Sequence, residues 1–489
     1  MPDVVPIIIH EAAFHLPNLG IASIGGNIDA EHEVFLIDLI RKRRSIKKYL
    51  NRTLKRIQPD LVGLSAMAWQ YDTCIKIAGL IKEILPGVKI VIGGYHATLM
   101  AKEIALTRQA DVVDFMIRGE GEIPARLLVN ALARKRPLTE IPSLSWKDES
   151  GWHHNLRGPT ADLEKIRLPV RDKRRLTGGY HFIYHRIEVL ETSRGCTRSC
   201  NFCSMKHMYG RTFRTYPISR VLEDLDAIYY GQKVRWVFLV DDNMVLSPRR
   251  VAELCEAIIA RKYKGLHLMV QADCISISQN EEMVSKMAEA GFCSVFLGIE
   301  NISKKNLVTA GKGNICSATR KAVDICHRHG LMVLAGLIFG FPDDDEEAII
   351  ANYQFYKELG ADAAYCQILT PYPKTGMRAS LLAEDLVENQ NDLSKYNGLW
   401  ANVRTRFLDA EQLQYLFWYH RQRVLGFWDP DKKTRSQGRL WIPIWRFVMK
   451  PFLQWRYKRM MREIGWEGRY QREVARWENL NKFKDLEGY

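Results

Sequence analysis

The chain has no run of about 18 uncharged apolar residues, so no bilayer-spanning helix is expected. It also lacks the basic start and long apolar stretch of a secretory signal; after a short MPD lead it opens on VVPIIIH, which reads as a buried strand. Ten cysteines without such a signal point to a reducing cytoplasm. No second cysteine knuckle accompanies the one cysteine-rich stretch, which counts against a structural zinc. With 47% hydrophobic and 26% charged residues the composition is that of a globular protein with a sizeable core, and 489 residues allow two to three domains. Cys255, Cys274, Cys293, Cys326 and Cys366 sit in apolar helix or strand patterns and read as small buried hydrophobes.

What is present is ETSRGCTRSCNFCSM, a C-x-x-x-C-x-x-C run directly after the strand-like RIEVLETS. Three thiolates within eight residues converge on one small object, and an iron–sulfur cluster is the usual one. A four-iron cubane held by Cys196, Cys200 and Cys203 keeps one iron open to a small molecule.

From Arg186 to Thr370 six apolar strands alternate with five helices, which predicts a parallel sheet. Six units make a partial (β/α)6 barrel, whose chemistry belongs at the C-terminal strand ends. The cysteine loop stands at such an end. Residues 1–135 read as a second α/β unit, a doubly wound Rossmann-like sheet with strands at VVPIII, HEVFLIDL, DLVGLSA, VKIVIGG and DFMIRGEGE. Its strand-end loops IGGYHAT and RGEGE carry Gly93, Gly94, His96, Gly119, Glu120 and Gly121, where backbone could approach a ligand. Residues 136–183 read as a connector, 184–385 as the barrel and 386–489 as a mainly helical, basic, aromatic-rich region.

This order of motifs resembles the cobalamin-binding-domain radical S-adenosylmethionine (SAM) family, which includes cobalamin-dependent methylases and anaerobic porphyrin cyclases. The resemblance covers roughly residues 4–385. It rests on the cysteine run, on GLIFGFPDDDEE at 336–347, on LVDDNM at 239–244 and FLGIEN at 296–301, and on His15-Leu16-Pro17-Asn18-Leu19-Gly20. It implies that the three cysteines ligate a 4Fe-4S cluster and that Phe202 shields it. It further implies that Asp241 or Asp242 meets the SAM amino group, that Glu300 accepts from ribose hydroxyls, and that Gly336 and Gly340 let a strand approach the adenosine. Helix capping ahead of SPRR remains an alternative for the two aspartates. Cobalamin is implied for the N-terminal unit. The D-x-H-x-x-G pattern of other corrinoid proteins is absent around His10, His15, His32 and His96, so no lower ligand comes from that motif. His96 is the candidate lower ligand, against a plainer role as a backbone-bonded loop histidine. A second departure is PYPKTGM at 371–377, where Lys374 replaces a glycine at the rim of the pocket.

Residues 421–476 hold 15 Lys or Arg against 5 Asp or Glu, with Trp428, Trp441, Trp445, Trp455 and Trp466. That composition fits an interfacial segment meeting anionic lipid, or a helical pair packed on the barrel; a nucleic-acid surface ranks last. The family resemblance and this segment together imply an enzyme that forms a 5′-deoxyadenosyl radical and methylates an unactivated carbon of a hydrophobic, lipid or tetrapyrrole-like substrate. Oxidative cyclisation or C–C bond formation without methyl transfer stays open, as does a non-catalytic corrinoid- or cluster-binding protein at a membrane surface. A basic chain also suits an acidic reductant such as a flavodoxin or ferredoxin. The second cluster of tRNA-methylthiolating enzymes is argued against, because Cys74 stands alone in the N-terminal unit.

Overall fold

The computed structural model describes residues 14–42, 45–182, 185–424 and 445–480, with Phe483 and Leu486. The expected first strand VVPIII lies outside the described residues, as do His10, Trp428 and Trp441; of Trp445 and Trp455 the backbone alone is described.

Two sheets organise the chain. The N-terminal sheet runs β1 (Leu61–Ser65), β2 (Lys89–Gly93), β3 (Phe115–Ile117), β4 (Leu144–Asp148) and β5 (Gly151–His154). β1 to β3 are parallel, and β4 and β5 add an antiparallel hairpin. That hairpin falls in the expected connector. The stretch 33–38, expected as a strand, forms a single bridge through Leu36 to Arg175, because its backbone bonds go to residues 174–176 instead of to β1. Helices α1 (Leu19–Asn27), α2 (Ile46–Ile57), α3 (Tyr71–Ile84), α4 (Tyr95–Ala105) and α5 (Glu122–Arg134) cover this sheet. α1 starts where the Asn18 side chain accepts the Ile21 N–H at 3.1 Å, a standard N-cap.

The second sheet contains the expected six parallel strands in sequential order: β6 (His185–Leu190), β7 (Trp236–Leu239), β8 (His267–Ala272), β9 (Phe292–Glu300), β10 (Met332–Phe339) and β11 (Ala363–Ile368). Every neighbouring pair is parallel, so the sheet curls as an open half-barrel. Its outer face carries the main core, with Leu190, Val237, Val270, Val295 and Val333 at 1% exposure or less. The five crossovers include α7 (Ile218–Asp226), α8 (Pro248–Ala260), α9 (Glu281–Glu289), α10 (Cys316–Arg328) and α11 (Glu346–Leu359), with the short α6 (Met205–Tyr209) ahead of them after the cysteine loop. The five cysteines expected as buried hydrophobes are all buried. Near the C-terminus, α12 (Ala410–Val424) packs on α13 (Trp445–Leu480, broken at Gly465) through Trp418, Tyr470 and Trp477, with Trp466 against them. Among the described residues no helix is long and apolar enough to cross a membrane.

Candidate functional site

β6 delivers the chain to the cysteine loop at its C-terminal end. The turn is locked from β7: the fully buried Asp241 accepts from Thr192 N–H (2.8 Å), Thr192 Oγ1 (2.6 Å) and Ser193 Oγ (2.5 Å). Its carboxylate is thereby committed to the protein, and burial pushes its pKa up to about 7. Asp242 accepts the Gly195 N–H at 2.9 Å, is raised to about 6 by burial, and lines the central cavity. Of the two aspartates proposed for the SAM amino group, Asp242 is the one that faces open space. Further along, Asn201 N–H bonds Ala310 O (2.8 Å) and Met377 N–H bonds Asn201 O (3.1 Å), so the loop is held from the β9–β10 crossover and from the chain after β11.

The thiols sit where ligands belong. Cys196 is buried, Cys200 and Cys203 half-buried. N–H groups point at sulfur: Arg198 N to Cys196 Sγ at 3.4 Å, Asn243 Nδ2 to the same Sγ at 3.8 Å, and Met205 N to Cys203. Such donors stabilise thiolate and tune a bound cluster. Burial holds the free Cys203 thiol up at about 11, so ligation must displace its proton. The buried Asn243 Oδ1 has no partner beside this site. Among the described residues no three Cys, His, Asp or Glu side chains meet tightly enough to hold one metal ion. A tetrahedral zinc needs its ligands at one point, whereas a cubane takes each thiolate on a different iron. Three thiols on one loop, two of them met by N–H donors, are the donor set a cubane would use.

Across the sheet, Glu300 ends β9 at φ 64°, a left-handed conformation costly for a side-chain-bearing residue. The ladder slips register there. Lys312 Nζ holds it, 2.6 Å from Glu300 Oε1 and 3.0 Å from Gly298 O. Burial works to lower the ammonium pKa, but Glu300 and Cys200 outweigh it and keep Lys312 above its ordinary value. Phe202 and Gly336 line the cavity. A Cβ at Gly336 would stand 2.7 Å from Phe296 Cζ, so bare backbone is needed there. Gly340 lies off that cavity wall; its φ is 85°, and a Cβ there would lie 2.8 Å from Leu413 Cδ2 of α12.

The N-terminal loops meet this site from above. Gly93, Gly94, Gly119, Glu120 and Gly121 all line the same cavity. Gly94 has φ 91°, and a Cβ there would lie 2.8 Å from Ala66 O, so only glycine makes the turn. Gly121 is explained by Ile24, whose Cδ1 would be 2.7 Å from an added Cβ. Glu120 is engaged by Arg194 (2.9 Å), Arg214 (3.0 Å) and Ala161 N–H (2.8 Å). Arg194, buried two residues before Cys196, also pairs with Glu122 (2.6 Å) and Glu191 (2.9 Å). This network joins the RGEGE loop to the cysteine loop, so Glu120 acts between the two sheets. His96 is buried against Tyr71 (ring centroids 4.2 Å), off the cavity wall, and burial lowers it to about 4, so the ring is neutral. Its neighbour Tyr95 lines the cavity instead, close to Cys203 and Asp242. Lys374, at the departure from the family glycine, has φ 63° and reaches across to Glu103 of α4.

One continuous space of ≈ 2960 Å³ touches Cys203, Asp242, Glu300 and the glycine loops. It runs along the inner strand faces past Phe238, Met269, Phe296 and Leu334, and extends between α1, α2 and β1. Sequence reasoning missed Arg194, Asn243 and Lys312. A lone basic or amide residue carries no spacing signal, and each acts through partners far along the chain.

Comparison with known proteins agrees with the geometry. The B12 binding domain profile matches residues 5–129 and the radical SAM superfamily profile matches 190–356. An uncharacterized methyltransferase of Pyrococcus horikoshii is 29% identical over 420 residues, 84% of this chain and 89% of that protein. The hopanoid C-3 methylase of Methylococcus capsulatus is 28% identical over 375 residues, 76% of this chain and 70% of that one. Among solved structures, the cobalamin-dependent SAM radical enzyme OxsB with aqua-cobalamin and SAM bound superposes with TM-score 0.69 at 19% identity, covering 94% of this chain and 70% of that one. A half-barrel carrying a three-cysteine loop, set under a B12-type domain, places this chain in the cobalamin-binding-domain radical SAM enzyme family.

Proposed function

We propose that this enzyme methylates an unactivated carbon of an apolar substrate, of the lipid or tetrapyrrole kind. The observation that carries the reading is the shared cavity: the cysteine loop and the glycine loops of the B12-type domain open onto one space with apolar strand faces below. Bound together, cluster, SAM and cobalamin supply a 5′-deoxyadenosyl radical to remove hydrogen and a methyl group to replace it. The chain does the positioning. Cys196, Cys200 and Cys203 hold the cluster; Asp242 accepts from an amino group at the cavity wall; Glu300, oriented by Lys312, accepts from hydroxyls. Phe202 covers the cluster against water. Gly93 and Gly94 would let the backbone of β2 approach a bound corrinoid. The apolar relatives' substrate, a hopanoid in the Methylococcus capsulatus methylase, supports the substrate class. The basic segment 421–476 supports approach to an anionic lipid surface where such a substrate partitions.

The test is anaerobic incubation of the reconstituted protein with SAM carrying a labelled methyl group, a reductant, and a cell lipid and pigment extract. Label in the organic phase, lost in Cys200→Ala, is expected. Formation of 5′-deoxyadenosine with no labelled product would assign the chain to oxidation or cyclisation instead.

A further inference from the structure

Alternation along the strands, with the parallel register, fixes which side chains face the inside of the half-barrel. Phe238 stands beside Met269, Met269 beside Ser294, and Gln271 beside Phe296, which is paired with Leu334. All six border the cavity. Towards the mouth the next row is Gly298, Gly336 and Tyr365, and the Tyr365 ring meets Phe296 edge-on with centroids 6.3 Å apart. Below Phe238 lies Trp236, with His185 and His267 stacked on it at 4.5 Å each, off the cavity wall; burial holds His185 below its ordinary value. Among the described residues no lysine, arginine or histidine at these inner strand positions borders the cavity. Arginines that border it elsewhere are Arg194, held by three carboxylates, Arg476 of α13, paired with Glu473 at 2.8 Å, and Arg421 of α12. Arg421 lies beside Tyr353 and Cys366 in the core behind β11. The mouth adds Asp242 and Glu300, which are acids. Gln271, Ser294 and Tyr365 make no side-chain hydrogen bond among the described residues, and each borders the cavity. A ligand carboxylate placed here would lose its water and meet no cation, at heavy cost. A hydroxyl or carbonyl oxygen would meet the Gln271 amide and the Ser294 hydroxyl in an otherwise apolar bowl.

We propose that the half-barrel takes an uncharged isoprenoid-type substrate whose hydroxyl or carbonyl oxygen is bonded by Gln271, and that it excludes carboxylate-bearing tetrapyrroles. The inference rests on the substrate reading above and narrows it. Gln271 belongs to the row two residues, about 7 Å, below Gly336. The oxygen-bearing end therefore enters first, and a carbon well away from it stays at the mouth beside Asp242 and the cysteine loop. Gln271 sets specificity in this arrangement and takes no part in the radical step.

The test uses full-length protein purified without oxygen, with neither SAM nor reductant added. Two tritiated probes of one isoprenoid skeleton, retinol and retinoic acid, are compared by equilibrium dialysis at a pH where the acid is ionised. Wild type is expected to bind retinol at least about tenfold tighter than retinoate. Gln271→Met should weaken retinol about fivefold and leave retinoate unchanged. Gln271→Lys should bring a cation to the carboxylate and close or reverse the ratio; if it does not fold, the near-isosteric Gln271→Met carries the test. No retinol binding, or retinoate bound as tightly as retinol by wild type, overturns the proposal. A wild-type ratio kept in the folded variants also overturns it, because the probes then sit away from Gln271. The methylation reading fails separately, since the binding ratio needs no turnover: a protein that shows the ratio but never transfers a methyl group keeps this inference and loses that one. Labelled methyl on a carboxylate-bearing pigment would keep methylation and overturn the uncharged-substrate site.

Discussion

At the residue scale, the three cysteines were legible because the chemistry needs them within one loop, so eight residues carry the whole signal. Their supporting residues were not. Lys312 lies 12 positions from Glu300 and more than 100 from Cys200, yet it holds the strained carboxylate of the one and sits beside the other. Lys312→Met leaves the half-buried Glu300 without its partner, and a loss of about 2 kcal/mol in urea unfolding is expected. The double variant Lys312→Met, Glu300→Gln should recover part of it; an equal loss in both would show that the pair is not coupled. Asp241 gives a pH prediction. Its folded pKa, about 7, stands above the unfolded carboxylate value, so between those values the folded state binds more protons and stability falls as pH rises. Asp242 and Asp344, each raised to about 6, act in the same direction. Between pH 4 and pH 7 the urea midpoint of the cluster-free protein should fall relative to that of Asp241→Asn, while His96, lowered to about 4, works the other way equally in both.

At the scale of elements, the half-barrel strands were readable as long apolar runs because a parallel sheet buried on both faces demands them. The hairpin 144–154 was readable in principle: Trp146 and Trp152 flank a turn in which Asp148 accepts the Ser150 N–H at 2.8 Å. Its Trp, His and Lys content instead resembled a linker. The stretch 33–38 misled because alternation fixes which face a strand presents but not which neighbour takes its hydrogen bonds. Loop packing gives a contrast between two glycines of one turn. Gly311 (φ 72°) would bring a Cβ 2.7 Å from Ser199 O in the cysteine loop, whereas Gly313 (φ 68°) has nothing near. Both alanine variants share the backbone cost of about 1 kcal/mol. Gly311→Ala alone should lower the iron bound per chain after reconstitution, and equal iron content in the two would remove the loop contact as the cause.

At the scale of the whole molecule, the domain order was legible from motifs alone, but the contact between domains was not. Arg194 is central to that contact, beside Arg214–Glu120 and Lys374–Glu103: one guanidinium binds Glu120 and Glu122 of the B12-type unit and Glu191 of the barrel. Replacing it with Met takes a partner from three carboxylates, and proteolysis in the connector should become faster while Arg328→Met, which removes a partner of Glu281 within the barrel, leaves the cleavage rate near wild type. The central claim is that cluster and corrinoid share one cavity. The direct measurement is the EPR spectrum of protein purified without oxygen from cells supplied with cobalamin, with both centres in paramagnetic states. Dipolar broadening of each signal by the other, absent when either centre is left out, is predicted. Two spectra that simply add would place the centres apart and contradict the account.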